Sequence, residues 1–281
     1  MISWNRYGKA RVRLVKVVRP PAGQPSAQPH HLVDLTIDIQ LEGAFEPVYA
    51  GDNRRCIATD TMKNTVYALA RRDTFEHAET FALILADHFV TQDAVRRVRI
   101  TTSEQPWVRL STDGRPHPHA FAQSGLERRT VVVLRDQDGA VVTSGLADLV
   151  LLKTTDSAFA GFRRDELTTL RETEDRILAT SITASWTYRR GTRDYGIRER
   201  IRTALIEAFA SHHSRSVQHT LAAMGDAALN ATDKIDEITL RLPNRHHVLA
   251  DLEPFGLDNP NQIFVPTPEP YGLIEATIRR S

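Results

Sequence analysis

Three observations predict an α+β fold built mainly from antiparallel sheets. The first is the stretch Val33 to Leu41, where Val33, Leu35, Ile37, Ile39 and Leu41 alternate with Asp34, Thr36, Asp38 and Gln40. A two-residue period of that kind describes a strand with one buried and one polar face. The second is that the helix-period segments come in adjacent pairs rather than singly between strands. The third is that the order strands, helix pair, strands occurs twice along the chain, which places helices against antiparallel sheets and lacks the βαβα alternation of a doubly wound fold.

Taken in order, Val12 to Val18 is β-branched and strand-like, and Pro20 to Pro29 is a Pro-rich connection to the strand at 33–41. The two strands form a long-looped hairpin. Thr61 to Arg71 reads as a short helix. Thr74 to Val90 places Phe75, Ala78, Phe81, Ala82, Leu85 and Phe89 on one helical face. Arg96 to Thr102 and Trp107 to Leu110 are strand-like. Thr130 to Leu134 and Val141 to Leu152 are apolar strands joined across Asp136-Gln137-Asp138-Gly139, a strong turn signal. Ile182, Ala184, Trp186 and Tyr188 alternate in a further strand. Ile197, Ile201, Leu205, Ala208 and Phe209 line one helix, and Val217, Leu221, Met224 and Ala228 line the next. Ile238, Leu240 and Leu242 alternate into another strand, and a last one runs near Leu273 to Ile278. The repeated order divides the chain at about 1–125 and 126–281, although no residue-level repeat is visible.

The 281 residues suffice for a large core. A formal net charge of +1 argues against a chain-wide affinity for nucleic acid or an anionic membrane. Cys56 is the single cysteine, which rules out an intrachain disulfide and favours a reducing compartment. No apolar run is long enough to span a bilayer, no leader pattern is present, and the chain ends Ile278-Arg279-Arg280-Ser281 without a Ser-Lys-Leu peroxisomal address. These features predict a cytoplasmic protein. Of the 36 basic residues only Lys9, Lys16, Lys63, Lys153 and Lys234 are lysine, so any lysine acid–base chemistry comes from a short list.

Eleven histidines invite a metal reading, with His117-Pro118-His119, His212-His213 and His246-His247 as neighbours. None has the spacing of a HExxH or CxxC site, so no metal site is expected, and the prolines around His117 and His119 read as a rigid turn. Thr59-Asp60-Thr61 precedes a helical segment, where Thr and Asp commonly cap the first free amides. A helix N-terminus also presents amides to an anion, so capping and binding are compatible. Phe159 suits a core, Arg176 follows Glu172 at the spacing of an intrahelical ion pair, Gln218 opens a helix, and Asn244 after Pro243 is a natural turn residue.

Read together, the motifs resemble the urate oxidase (uricase) family from about Arg6 to Arg279. They are Tyr7-Gly8-Lys9; Ala58-Thr59-Asp60-Thr61-Met62-Lys63-Asn64-Thr65; Asp113-Gly114-Arg115-Pro116-His117-Pro118-His119-Ala120-Phe121; Leu152-Lys153-Thr154-Thr155-Asp156-Ser157-Ala158-Phe159; Gly161-Phe162-Arg163-Arg164-Asp165-Glu166 with Thr168-Thr169-Leu170-Arg171-Glu172-Thr173; Asp175-Arg176-Ile177-Leu178; Ser216-Val217-Gln218; and Leu242-Pro243-Asn244-Arg245-His246. Each is weak alone, and eight in the family's order are strong together.

The resemblance implies tandem tunnelling-fold units whose sheets close into a barrel on oligomerisation, a homotetramer, and active sites between subunits. It implies cofactor-independent oxidation of urate by O2 to 5-hydroxyisourate and H2O2. Arg176 and Gln218 would grip opposite edges of the purine, Phe159 would stack on its face, and the Val217 backbone would add a contact. Thr59 and the Asp60 backbone would arrive from the neighbouring chain. Lys9, Thr59 and His246 would relay protons, and Asn244 would hold the oxygen or water site. Ala160 and Glu174 depart mildly from the family pattern, which tends to larger or aromatic residues there. The competing expectations are a pterin or nucleotide hydrolase of the same fold, disfavoured by the missing ligand spacings, and an inactive purine-binding protein, disfavoured by intact Lys9 and Thr59.

Overall fold

The alternating strand read at 33–41 is the centre of the first half of the molecule. In the computed structural model, which describes residues 2–19 and 29–280, it extends as β2 (His31–Gly43) and pairs antiparallel with β1 (Tyr7–Val18). The expected Pro-rich connection, Pro20 to Pro29, lies outside the described residues except for Pro29. Leu35, Ile37, Ile39 and Leu41 are fully buried, so the apolar face predicted by the two-residue period is the core face. Antiparallel neighbours follow in the order β1, β2, β3 (Val95–Glu104), β6 (Arg128–Asp136). Between β3 and β6 in the chain, β4 (Trp107–Thr112) and β5 (Arg115–Gln123) form a separate ribbon. Its turn places both Asp113 and Gly114 at positive φ, as a tight hairpin demands. His117, Pro118 and His119 therefore lie on a strand and not in the rigid turn expected for them; a two-stranded ribbon is all edge, which tolerates proline.

After a single turn, α1 (Glu46–Tyr49), two helices cover the sheet. Helix α2 (Thr59–Arg72) packs on β1 through Met62, Val66 and Leu69, and α3 (Ala78–Val90) packs on β3 and β6 through Phe81, Leu85 and Phe89. Thr74 to His77 stay outside the helix predicted over 74–90, and Phe75 instead stacks on Phe81 at 4.3 Å between ring centroids.

The second half repeats this arrangement. Gly139 turns the chain at φ 143° into β7 (Gly139–Lys153), followed by β8 (Leu178–Tyr188), β9 (Ile235–Leu249) and β10 (Phe264–Arg279) as successive neighbours. Helices α4 (Ile197–Ser211) and α5 (Val217–Asn230) pack on each other, and α5 lies against β9 and β10. Ser216 caps α5, its hydroxyl accepting from the His219 amide at 3.1 Å. Packing groups the chain into a first unit of residues 1–146 with 187–196 and a second of residues 147–186 with 197–281. Each unit holds one helix pair against antiparallel strands, the tunnelling-fold architecture. Among the described residues no helix is long and apolar enough to cross a membrane.

Candidate functional site

In the first unit the candidates are Lys9, Thr59 and Asp60. Lys9 sits where β1 departs from regular pairing: the register with β2 shifts between Lys9 and Val12, and Arg11 takes a left-handed φ of 56°. A bulge of this kind re-aims the side chains beside it. The Arg11 amide donates to Asp38 Oδ1 at 2.6 Å and holds the irregularity in place. Gly8 is the other half of the device. A Cβ at position 8 would fall 1.8 Å from the Ile39 carbonyl oxygen, so β1 can approach β2 this closely only with glycine beside Lys9.

Tyr7 ties the same strand to the segment entering α2. Its phenol oxygen accepts from the Ile57 amide at 2.8 Å, and its ring meets Phe45 edge-on at 4.8 Å. Burial pushes the Tyr7 pKa up to about 12, against the opposing effect of that amide. Two residues after Ile57 the helix begins, one turn's edge earlier than the predicted Thr61. Thr59 and Asp60 are thus inside α2 and are not its caps; the cap position is Ala58, with no side-chain hydrogen bond. Asp60 is exposed, pairs with Lys63 one turn on, and accepts from Asn64 Nδ2 at 2.9 Å. Lys63 holds the carboxyl below its usual range, and the charge of Lys9 acts in the same direction, which places Lys9 within electrostatic reach of Asp60. The fold therefore brings Lys9 within electrostatic range of Asp60, a residue on the first turn of α2.

The remaining candidates all fall in the second unit. Residues 154–177 contain no helix, so the intrahelical pairing of Glu172 with Arg176 is replaced by something else. Phe159 and Thr173 exchange backbone hydrogen bonds in an isolated bridge. That bridge sets the Arg176 guanidinium carbon 5.0 Å from the centroid of the Phe159 ring, with Phe162 stacked on Phe159 at 4.9 Å. Arg176 Nε is buried without a hydrogen-bond partner among the described residues, and burial lowers the pKa of the group. A guanidinium still stays charged throughout the accessible pH range. Val217 and Gln218 open α5, Val217 buried and Gln218 exposed.

Asn244 and His246 lie inside β9, so Asn244 is a strand residue and not a turn. Asn244 pairs with Gly272 and His246 with Thr267, and the register of β10 shifts between those two partners. The irregularity falls opposite the two candidate side chains, whose Nδ2 and Nδ1 atoms approach to 3.5 Å. Sequence reasoning gave no role to Gly8, Tyr7 or Asp175, although all three stand inside the quoted motifs. Among the described residues no three His, Cys, Asp or Glu side chains are grouped as metal ligands. A cleft of about 640 Å3 in the first unit is lined by Leu83, Ile84, Arg135, Val142 and Tyr195 among others, and none of the candidate residues lines it.

A model of the uricase family matches residues 5–134 and 142–275. The chain belongs to the uricase family. The uricase of Arthrobacter globiformis is 44% identical over 283 residues, covering all of this chain and 90% of that relative, and the uricase of Dictyostelium discoideum is 39% identical, covering 99% and 96%. The crystal structure of uricase from Arthrobacter globiformis superposes with a TM-score of 0.92, covering 100% of this chain and 95% of that one. Membership of the uricase family makes the chain an enzyme and supports urate oxidation. The gap in the family match, residues 135–141, falls on the β6–β7 turn.

Proposed function

We propose that the chain oxidises urate with dioxygen, without metal or flavin, to 5-hydroxyisourate. The step balances as urate plus O2 plus H2O giving 5-hydroxyisourate plus H2O2. The observation that carries this reading is Arg176: a desolvated cation held over the face of Phe159, with a buried donor left unpaired. A planar anion stacked on the ring and accepting along its edge from the terminal nitrogens of the guanidinium would compensate the charge. Gln218 supplies an amide that donates and accepts, which matches the alternating N–H and carbonyl groups on the opposite edge of urate. The Val217 amide adds a further contact.

Lys9, Thr59 and Asp60 form the second half-site. Thr59 and the Asp60 backbone close the pocket from a neighbouring chain, while Lys9 and Thr59 relay a proton that His246 passes onward. Asn244 holds the dioxygen or water position above the ring. A twice-deprotonated purine is electron-rich enough to give electrons to dioxygen directly, and this is why the reading requires no cofactor. The tandem repeats, 1–125 and 126–281, then close their sheets with those of partner chains in a cytoplasmic homotetramer. Half-exposed Val265, Tyr271 and Leu273 on β10 support assembly, since large apolar side chains left in water favour burial against a partner.

The test is direct. Purified protein, exhaustively treated with chelator, should consume the near-ultraviolet absorbance of urate with stoichiometric oxygen uptake and peroxide release. Activity that disappears with chelation and returns with a metal would overturn the cofactor-free reading.

A further inference from the structure

The groups proposed to hold the purine stand on separate stretches of the second unit. Phe159 follows β7, Arg176 precedes β8, and Gln218 opens α5. The first two stretches belong to no helix or long strand, so a few individual hydrogen bonds must fix their relative positions. Those bonds converge on one side chain. Asp175 Oδ2 accepts from the Thr155 hydroxyl at 2.8 Å and Oδ1 from the Ser157 amide at 3.4 Å. The Thr173 hydroxyl donates to the Asp175 carbonyl at 2.7 Å and closes the same turn.

A second strut joins this cluster to α5. The Ala158 amide donates to the Ser214 carbonyl at 2.7 Å, and the Ser214 amide to the Asp156 carbonyl at 3.1 Å. The buried Thr220 hydroxyl donates to Ser214 Oγ at 2.7 Å, which ties the first turn of α5 to the strut. Asp156, held at a left-handed φ of 64°, has its carboxylate fixed by His213 Nδ1 at 2.5 Å and Lys153 Nζ at 3.6 Å.

The geometry points to Asp175 as a positioning residue of the purine clamp. Its carboxylate gathers donors from the stretch that leads into Phe159, and Asp175 is the chain neighbour of Arg176, so these bonds set the guanidinium over the ring. This inference rests on the clamp reading given above. The site calls for an acceptor, because the groups around it, the Ser157 amide and the Thr155 hydroxyl, both donate. Asparagine would do nearly as well: its carbonyl oxygen keeps the Ser157 amide, and its NH2 can donate to the Thr155 hydroxyl, which reverses its role. Alanine holds neither stretch.

The experiment compares Asp175→Ala, Asp175→Asn, Thr155→Val and Arg176→Ala by steady-state urate kinetics, with xanthine as a binding probe and thermal melting as a check on folding. Asp175→Ala should raise both KM and the xanthine Kd about tenfold, with kcat changed less than about threefold, because a displaced clamp weakens binding before it alters chemistry. Asp175→Asn should stay within about threefold of the parent in both constants, and Thr155→Val should raise KM about two- to threefold. A folded Asp175→Ala enzyme with KM and Kd within twofold of the parent overturns the inference, as does a loss of kcat alone, the signature of a purely structural residue. Should Asp175→Ala fail to fold, an unchanged KM in Thr155→Val overturns it instead. Arg176→Ala separates the two claims. An unchanged KM there removes the clamp reading itself, whereas a raised KM beside a normal Asp175→Ala enzyme removes only the role of Asp175.

Discussion

Replacing Arg176 by alanine is expected to weaken urate binding by one to two orders of magnitude while leaving the fold at least as stable. The guanidinium lies 5.0 Å over Phe159 with Nε buried and unpaired. A hydrogen bond to a charged group contributes about 1.5–3 kcal/mol, which at about 1.4 kcal/mol per decade corresponds to roughly 10- to 150-fold in Kd. The interaction with the Phe159 face, worth about 0.5–1 kcal/mol, exists in the free enzyme too and therefore changes affinity little. Stability follows a different balance. In the free enzyme Arg176 is a desolvated cation whose pKa is lowered by burial and whose Nε has no acceptor, so its removal relieves a cost. Arg176→Lys keeps the charge but loses the planar fork and should fall between the two. Steady-state kinetics, equilibrium binding of xanthine and a melting curve together provide the assay. KM and Kd within twofold of the parent would refute the clamp, and a large fall in melting temperature would refute the claim that Arg176 is held for binding at the expense of stability.

Lys9→Met should lower kcat by at least about tenfold with KM nearly unchanged, as expected for loss of a proton-transfer group; equal turnover removes Lys9 from the relay. Gly8→Ala must displace a backbone carbonyl that its Cβ would meet at 1.8 Å, and should cost about 1–3 kcal/mol in denaturant unfolding together with activity, since the bulge at Lys9 moves with it. Tyr7 has a folded pKa raised to about 12, so its contribution to stability is complete below its ordinary value near 10 and is lost as pH rises through 12. Tyr7→Phe should flatten that alkaline decline in unfolding midpoints between pH 10 and 12, and an unaltered decline would place its origin elsewhere. Unfolding and refolding a one-to-one mixture of Lys9→Met and Arg176→Ala chains should restore about a quarter of parental activity if each site takes one half from each of two chains, because half of random pairs are mixed and each mixed pair holds one intact site. No recovery would place both halves of a site on one chain.

Most of the fold was legible because its core obeys simple periods. The alternation through Leu35, Ile37, Ile39 and Leu41, and the helical spacing of Phe81, Leu85 and Phe89, are dictated by which side chains must leave water, and all seven are buried. Element ends were less legible. Thr59 entered the helix expected to start at Thr61 because Asp60 finds Lys63 and Asn64 within the first turn, a local electrostatic gain that no apolar period records. The prolines beside His117 and His119 point to a turn there, yet the turn forms three residues before His117, at Asp113-Gly114, where both residues take positive φ angles.

The candidate residues show a different limit. Thr59, Arg176 and Asn244 each had an ordinary local explanation as cap, ion-pair partner or turn, and the structure removes all three explanations. What replaces them is long-range: Asn244 faces a register shift between Thr267 and Gly272, Arg176 rests on a ring brought to it by the Phe159–Thr173 bridge, and Lys9 on β1 acts on the charge of Asp60 on α2. Contacts of this kind leave no trace in spacing, because the chain length between partners is free to vary while the geometry is not. They leave a trace only in the residues that have no good local reason to be where they are. Gly8 is the second residue of β1 and is paired with Gln40, where glycine weakens a strand. Arg176 buries its Nε without an acceptor among the described residues. Each is a cost to folding, and the purine site proposed above would account for both.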